Sequence, residues 1–323
     1  MSAFADLSAA AFSAGPAGFE LSAPLKLNLA LHVLNRRADG YHNLEMLAAF
    51  SPAGDRLHFC PAERDNFTAS GAFAANIGAA ADNLVPRARD SLRALLGARA
   101  VPPVAIHLRK NLPVAAGLGG GSADAAACLI GLCALNGIKA EEPRLRRRLM
   151  QLAADLGADV PMCLGWFYEQ SACLAAGRGE LLTALPSFPA LPVLIINNGA
   201  ALATAAVFAR LEQAETAPLL PQPAVQAALA RAGGSFADCL TFLRLMRNDL
   251  YRPALAAAPA LAADLALLAE SGAAFSAMSG SGGSCFGLYA APAAAAAAAD
   301  FVRRRRPGFF VLVTQTDGAP LPQ

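Results

Sequence analysis

The chain has 323 residues, 55% of them hydrophobic and 15% charged, with 26 lysines and arginines against 24 acidic side chains. This composition excludes disorder over most of the chain, and a net charge of +2 gives no footing for a nucleic-acid surface. No uninterrupted apolar stretch reaches the roughly 18 residues that span a bilayer, because Arg, Asp, Gly or Pro breaks every alanine-rich run. The length suggests about two domains. A soluble enzyme is the expected class, with no nucleic-acid or membrane partner and with monomer and homodimer both open. The seven cysteines form no CxxC pair and stand at no zinc spacing, and their odd number suits a reducing cytoplasm.

In chain order, Met1 to Gly18 is rich in Ala, Ser, Gly and Pro and lacks the basic head of a signal peptide, so residues 1–19 read as a flexible extension. Glu20 to Val33 alternates as a strand, with Leu25, Leu27, Leu29 and Leu31 on one face and Lys26, Asn28, Ala30 and His32 on the other. A solvated face and a reactive site both account for Lys26 beside Asn28. The segment from Asn35 to Phe50 reads as loop; within it Asp39-Gly40 marks a turn, and Tyr41 and His42 follow at once. Asp55 to Ala75 reads as strand and loop. A helix opens at Asp82-Asn83 and runs to Leu96, with Asp82 or Asn83 as its cap. Val104 to Leu108 is a strand leading through Arg109, Lys110 and Asn111 into the densest motif of the chain.

That motif is LPVAAGLGGGSADAAACL, Leu112 to Leu129, with four glycines in five positions, Gly117, Gly119, Gly120 and Gly121. Ser122 and Asp124 stand where a helix should begin, and Asn136-Gly137 is its stop. A glycine loop opening a helix offers unpaired N–H groups and the positive end of the helix dipole, which suits phosphate. A Walker A loop would need Lys where Gly121 stands. A Rossmann fingerprint would need Gly or Ala at Ser122 and an acid about 20 residues on, near Lys139.

Pro143 to Leu156 is a helix stopped by Gly157, with a basic face that reads as solvated. In LGADVPMCL, at 156–164, Asp159 precedes Pro161 by two residues, the position of a helix cap. The proline-rich run from Pro186 to Pro192 marks the expected domain boundary. Beyond it come a strand (Val193 to Asn197), helices at Thr204 to Gln213, Phe236 to Leu245 and Pro253 to Ser271, and a strand–glycine turn–strand in AFSAMSGSGGSCFGLY. A helix from Ala291 to Arg305 and a strand from Phe309 to Thr314 complete a small α+β sandwich.

PVAAGLGGGSADAA resembles the phosphate loop of the GHMP kinases, a family that phosphorylates small hydroxyl substrates such as galactose, homoserine and mevalonate. PLKLNL, DGYHNLEML, LGADVP, AAGRGELL, RNDL and MSGSGGSCF extend the resemblance from Ala23 to Tyr289, closest to the branch acting on a methylerythritol joined to CDP. Leu25 departs from it, since the family usually has alanine there. The resemblance implies an α+β fold of two domains, ribosomal-S5-like over 20–186 and ferredoxin-like over 187–323, and a kinase using ATP and Mg²⁺ in isoprenoid precursor synthesis.

It also implies roles. Asp159 is the base for the alcohol and Lys26 its partner. Pro113, Val114, Ala115 and Ala116 lead into Gly117, Leu118, Gly119, Gly120, Gly121 and Ser122, which hold the triphosphate, with Asn83 and Lys110 on the adenine side. Asn28, Tyr41 and His42 recognise the substrate, the flat face of Tyr41 suiting a pyrimidine. Ser279, Gly280, Ser281 and Gly282 close over the substrate's diphosphate. Ser122 stays open as metal ligand or helix cap. A homoserine- or mevalonate-type kinase would share the loop without DGYH after the lysine strand. A silent member acting as a nucleotide or sugar sensor would be expected to lose Lys26 or Asp159.

Overall fold

A computed structural model of the chain describes residues 12–15, 18–79, 82–200, 202–211 and 235–317. The chain divides into two compact units that alternate along the sequence. The first takes residues up to Lys26, Pro52–Val114 and Gly119–Glu169; the second takes Leu27–Ser51, Ala115–Leu118 and everything from Gln170. Residues 170–186, ahead of the proline-rich run, pack with the second unit, as do two earlier segments.

In the first unit, β1 (Phe12–Gly15) pairs antiparallel with the start of β2 (Gly18–Arg36), so this part of the expected extension joins a sheet. Residues 1–11 of that extension lie outside the described residues. From Leu21 to Val33 every residue of β2 is buried. Lys26, Asn28 and His32 are thus covered, which removes the solvated-face reading of the strand. The turn after Arg36 is shorter than the sequence suggests, because β3 (His42–Pro61) already begins at His42. β3 lies beside β2, and its second half pairs antiparallel with β5 (Val104–Arg109), which takes β4 (Asn66–Ser70) on its far side in parallel.

Between β4 and β5 runs α1 (Leu84–Leu96), capped by Asn83, whose Oδ1 accepts from Val85 N at 2.9 Å. After β5 comes α2 (Gly120–Leu135), buried on all sides from Ala123 to Cys133, as its unbroken run of small apolar residues requires. Gly131 lets it lie flat on β3, since a Cβ there would come within 2.5 Å of the Phe59 ring. α1 and α4 (Val160–Glu169) pack against α2, and α3 (Pro143–Leu156) packs on α4 through Leu149, Leu152, Ala153 and Leu156 while Arg144, Arg147 and Arg148 stay exposed.

The second unit contains β6 (Ala172–Gly177), paired antiparallel with the first half of β3, and β7 (Leu181–Leu185), paired with β6. Its other sheet is built from β8 (Pro192–Asn197), α5 (Thr204–Phe208), α6 (Phe236–Leu243), α7 (Tyr251–Ala257), α8 (Ala260–Glu270), β9 (Phe275–Met278), β10 (Ser284–Leu288), α9 (Pro292–Arg305) and β11 (Phe310–Gln315). The strand order is β11-β8-β10-β9, antiparallel throughout. Strand, helices, hairpin, helix and strand in that order make the split βαβ arrangement expected of a ferredoxin-like half. The helix anticipated from Pro253 to Ser271 is instead two helices at 116°, broken just before α8. Pro259 is the cause: it cannot donate to the preceding turn and holds Ala258 extended, at φ −141° and ψ 82°. No single helix among the described residues is long and apolar enough to cross a membrane.

Candidate active site

Lys26 and Asp159, 133 residues apart in sequence, meet inside the first unit, where Lys26 Nζ donates to Asp159 Oδ2 at 2.8 Å. Strand alternation turns Lys26 away from Leu25 and Leu27, and Gly157 ends α3 so that Asp159 stands immediately before α4. The lysine side chain is 3% exposed and the aspartate 35%. A sequestered ammonium therefore holds a carboxylate that water and small molecules can reach. Asp159 joins α4 through its backbone carbonyl, which accepts from Cys163 N at 3.2 Å, while its carboxylate is committed to Lys26.

The glycine loop ends against the same lysine. Gly119 is the N-cap of α2 with φ +66°, and a Cβ there would lie 3.0 Å from Lys26 Cβ, so only glycine combines that conformation with that approach. The helix begins at Gly120, two residues earlier than Ser122 suggests, and neither Ser122 nor Asp124 caps it. Its first internal bond runs from Ala123 N to Gly119 O at 2.9 Å. The N–H groups of Gly120, Gly121 and Ser122 consequently have no partner within the helix and carry the positive end of its dipole. The Ser122 side chain, half-buried, projects from this first turn.

Lys110 and Asn83 are placed differently from simple ligand contacts. Asn83 spends its side-chain oxygen on the α1 cap. Lys110 is buried, its Nζ donating to Asp55 Oδ2 at 2.5 Å and to Asp124 Oδ2 at 2.7 Å. Burial opposes the lysine's charge, but Asp124 and Asp55 outweigh it and hold the amine above its ordinary range. Burial pushes the Asp124 carboxyl up to about 7, against the pull of Lys110. Asp55 lay outside every motif, and nothing in its local sequence pairs it with residues 55 positions away.

Within the second unit, Asn28 N donates to Ser279 Oγ at 3.1 Å, and Ser279 Oγ donates to Gly117 O at 2.8 Å. Gly117 sits at φ +73°, and a Cβ there would come 2.2 Å from Ser279 O. Ser279 is thus a brace between β2 and the glycine loop, and Ser281 Oγ is likewise engaged, 2.9 Å from Thr204 Oγ1. What the 279–282 turn has left to offer a ligand is main chain. Asn248, from the RNDL motif, fixes that turn by donating to Met278 O at 3.0 Å and Gly280 O at 2.9 Å. Asn28 Oδ1 is buried with no partner among the described residues, an acceptor facing the Gly280 backbone region without a donor.

Tyr41 is 53% exposed, with the Arg178 guanidinium 4.7 Å from its ring centroid. His42 stacks on Phe208 at 5.2 Å, and burial, aided by Arg36, lowers its basicity. Phe208 and Arg178 carried no signal in the sequence beyond Arg178's place in AAGRGELL. The exposed flat ring, the stacked imidazole and the guanidinium together suit a planar polar base.

Two family models match the chain, the GHMP kinases N terminal domain over residues 83–165 and the GHMP kinases C terminal over residues 224–307, together just over half its length. The chain belongs to the GHMP kinase family. This GHMP kinase is 46% identical over 297 residues to the 4-diphosphocytidyl-2-C-methyl-D-erythritol kinase of Chelativorans sp. (strain BNC1), covering 92% of this chain and 96% of the relative. It is 45% identical over 300 residues to the kinase of the same name from Brucella melitensis biotype 1, covering 93% and 95%. A crystal structure of 4-(cytidine 5'-diphospho)-2C-methyl-D-erythritol kinase matches at a TM-score of 0.72 and 33% identity, covering 93% of this GHMP kinase and all of that chain.

Proposed function

We propose that this GHMP kinase transfers the γ-phosphoryl group of ATP to a hydroxyl of 4-diphosphocytidyl-2-C-methyl-D-erythritol. The observation that carries the chemistry is the Lys26–Asp159 pair at 2.8 Å with Gly119, the cap of an anion-binding helix turn, packed against the same lysine. Phosphoryl transfer needs an alcohol and a γ-phosphate held in line with the negative charge compensated. The unpaired N–H groups of Gly120, Gly121 and Ser122 supply fixed donors for phosphate oxygens.

Asp159, reachable from solvent, accepts the proton of the substrate hydroxyl as its oxygen bonds to the γ-phosphorus. The bond from that phosphorus to the β,γ-bridging oxygen breaks, and ADP leaves with the electron pair. Lys26 orients the Asp159 carboxylate by donating to Oδ2, and its positive charge lowers the energy of the negative charge spreading over the transferred group. Substrate choice rests on Tyr41 and His42 for the cytosine, with Asn28 and the main chain of Ser279 to Gly282 toward the diphosphate. Pro113, Val114 and the loop that follows wrap the ATP phosphates, and Asn83 lies toward the adenine.

The residues present also suit Mg²⁺. Among the described residues no group of three or more His, Cys, Asp or Glu side chains could hold a metal ion. That donor set fits an ion carried mainly by nucleotide phosphates and water, with few protein oxygens. The Ser122 hydroxyl, which caps no helix, would add one such oxygen; when bound, the ion neutralises phosphate charge. The test is ADP release with ATP and Mg²⁺ over three alcohols: the cytidylated methylerythritol, homoserine and mevalonate. Turnover confined to the first supports the proposal, and turnover confined to either of the others overturns the substrate.

A further inference from the structure

The glycine loop leaves β5 at Lys110 and returns as α2, and both of its ends are fastened to one buried charge cluster. On the entry side, Asp55 Oδ1 accepts from Asn111 N at 2.6 Å and from Leu112 N at 2.9 Å, while its Oδ2 accepts from Lys110 Nζ. On the exit side, the same Nζ donates at 2.7 Å to Asp124, the fifth residue of α2. Between them Gly120, the first residue of the helix, rests on the cluster: a Cβ there would stand 3.1 Å from Lys110 Nζ and 3.3 Å from Asp55 Oδ2. The turn that carries the free N–H groups is therefore seated directly on an ammonium held by two carboxylates.

We propose that Lys110, Asp55 and Asp124 form a clamp that presets the phosphate loop for nucleotide, with Lys110 a positioning residue that does not itself touch ATP. This deepens the kinase reading above and rests on it. Three features argue for the clamp over a plain structural ion pair. A single ammonium ties the chain before the loop to the helix after it, so the loop's ends stay fixed while its middle is glycine-rich; a loop ordered in advance loses less entropy on binding. With Lys110 buried between two carboxylates, its charge is already spent and cannot also serve a phosphate. Among the described residues Asp124 Oδ1 is buried with no hydrogen-bond partner, so the bond from Lys110 to Oδ2 is the one that ties this carboxyl to the loop's entry side. An aspartate so poorly solvated is a costly choice for a helix that could have carried another alanine, unless its position is what matters.

The experiment compares wild type with Asp124→Ala and Asp124→Asn, reading KM for ATP and for the alcohol, kcat, and calorimetric affinity for the non-hydrolysable analogue AMP-PNP. Asp124→Ala cuts the tether on the helix side while leaving Lys110 paired with Asp55. The expected result is a rise of about tenfold in KM for ATP and an equal loss of AMP-PNP affinity, with kcat within about threefold and the alcohol's KM unchanged. Asp124→Asn keeps an acceptor for Lys110 and should recover ATP affinity to within about threefold of wild type. KM does not depend on how much of a preparation is folded, so partial unfolding of the alanine variant does not obscure the readout. An unchanged KM for ATP in Asp124→Ala, or equal losses in the alanine and asparagine variants, overturns the clamp alone. Failure of wild type itself to bind AMP-PNP overturns the kinase reading and the clamp with it.

Discussion

Replacing Lys26 by Met separates catalysis from stability. At 2.8 Å and an effective dielectric constant of about 20, the Lys26–Asp159 attraction is about 6 kcal/mol before solvation is counted. Placing an ammonium where it is only 3% exposed costs several kcal/mol, which offsets most of that gain. Met fills a similar volume without a charge, and the abandoned Asp159 is one-third exposed and can be hydrated. The net change in folding free energy should be within about 1 kcal/mol of zero. Turnover is a different matter: kcat should fall about 10²–10⁴-fold, a barrier increase of roughly 3–5 kcal/mol. Asp159→Asn should lose a similar factor but also about 1–2 kcal/mol of stability, because it leaves the buried ammonium with a weaker acceptor. The double variant should be far less than multiplicative, since the pair acts as a unit. Urea unfolding and a coupled ADP-release assay at saturating ATP measure the two effects. Wild-type turnover by Lys26→Met, or losses of activity that track losses of stability, would refute the mechanism.

Gly117→Ala should destabilise the fold by about 3 kcal/mol or more, since its Cβ would lie 2.2 Å from a backbone oxygen at φ +73°. Gly121→Ala, with nothing within 4 Å, should leave the thermal midpoint unchanged or raise it. Tyr41→Ala should raise KM for the cytidylated alcohol by about 1–3 kcal/mol while leaving that for ATP untouched, and Tyr41→Phe should be mild; equal effects on both substrates would remove Tyr41 from the cytosine. His32 is held neutral, its pKa lowered to about 4 from 6.5 by burial first and Arg247 second. Its Nε2 accepts from Arg247 N at 3.3 Å, which requires the uncharged ring. Because the unfolded chain takes up the proton first, the stability this group contributes is complete above pH 6.5 and is lost as pH falls toward 4. Between pH 7 and 5 the loss should be about 1–2 kcal/mol, allowing for partial solvent access. His32→Gln should flatten that part of the urea-derived stability profile.

Much of the site was legible because its parts are local. Strand alternation around Lys26, glycines before an alanine helix, and Asp159 ahead of Pro161 are each read within a few residues. What escaped needs distance or volume. Helix propensity disfavours glycine, so the start of α2 reads as Ser122; it lies at Gly120, where a Cβ would stand 3.1 Å from Lys110 Nζ and 3.3 Å from Asp55 Oδ2, a close approach that only the folded chain reveals. The resemblance puts Lys110 on the adenine side, and only the fold brings Asp55 and Asp124 to either side of its amine. The full burial of β2 comes from tertiary cover, which the strand's own alternation cannot report. Pro259 did carry its signal, a helix break, but the alanine-rich sequence on both sides masked it.

The alternation of the two units sets a timetable for synthesis. Residues 27–51 emerge early, yet their partners come late: Leu31 N donates to Arg247 O at 2.9 Å, Ser51 Oγ lies 2.6 Å from Thr314 Oγ1, and Asp317 N donates to Phe50 O at 2.7 Å. At ordinary ribosomal rates the interval is roughly 15–60 s, during which an apolar strand waits without the segments that complete it. The first unit, whose segments end at Glu169, has no such delay. Nascent chains stalled once Glu169 has cleared the ribosomal exit tunnel should accordingly protect α2 from proteolysis while Leu27 to Ser51 remains open to it, and protection of that strand should arrive only with the last strand of the protein.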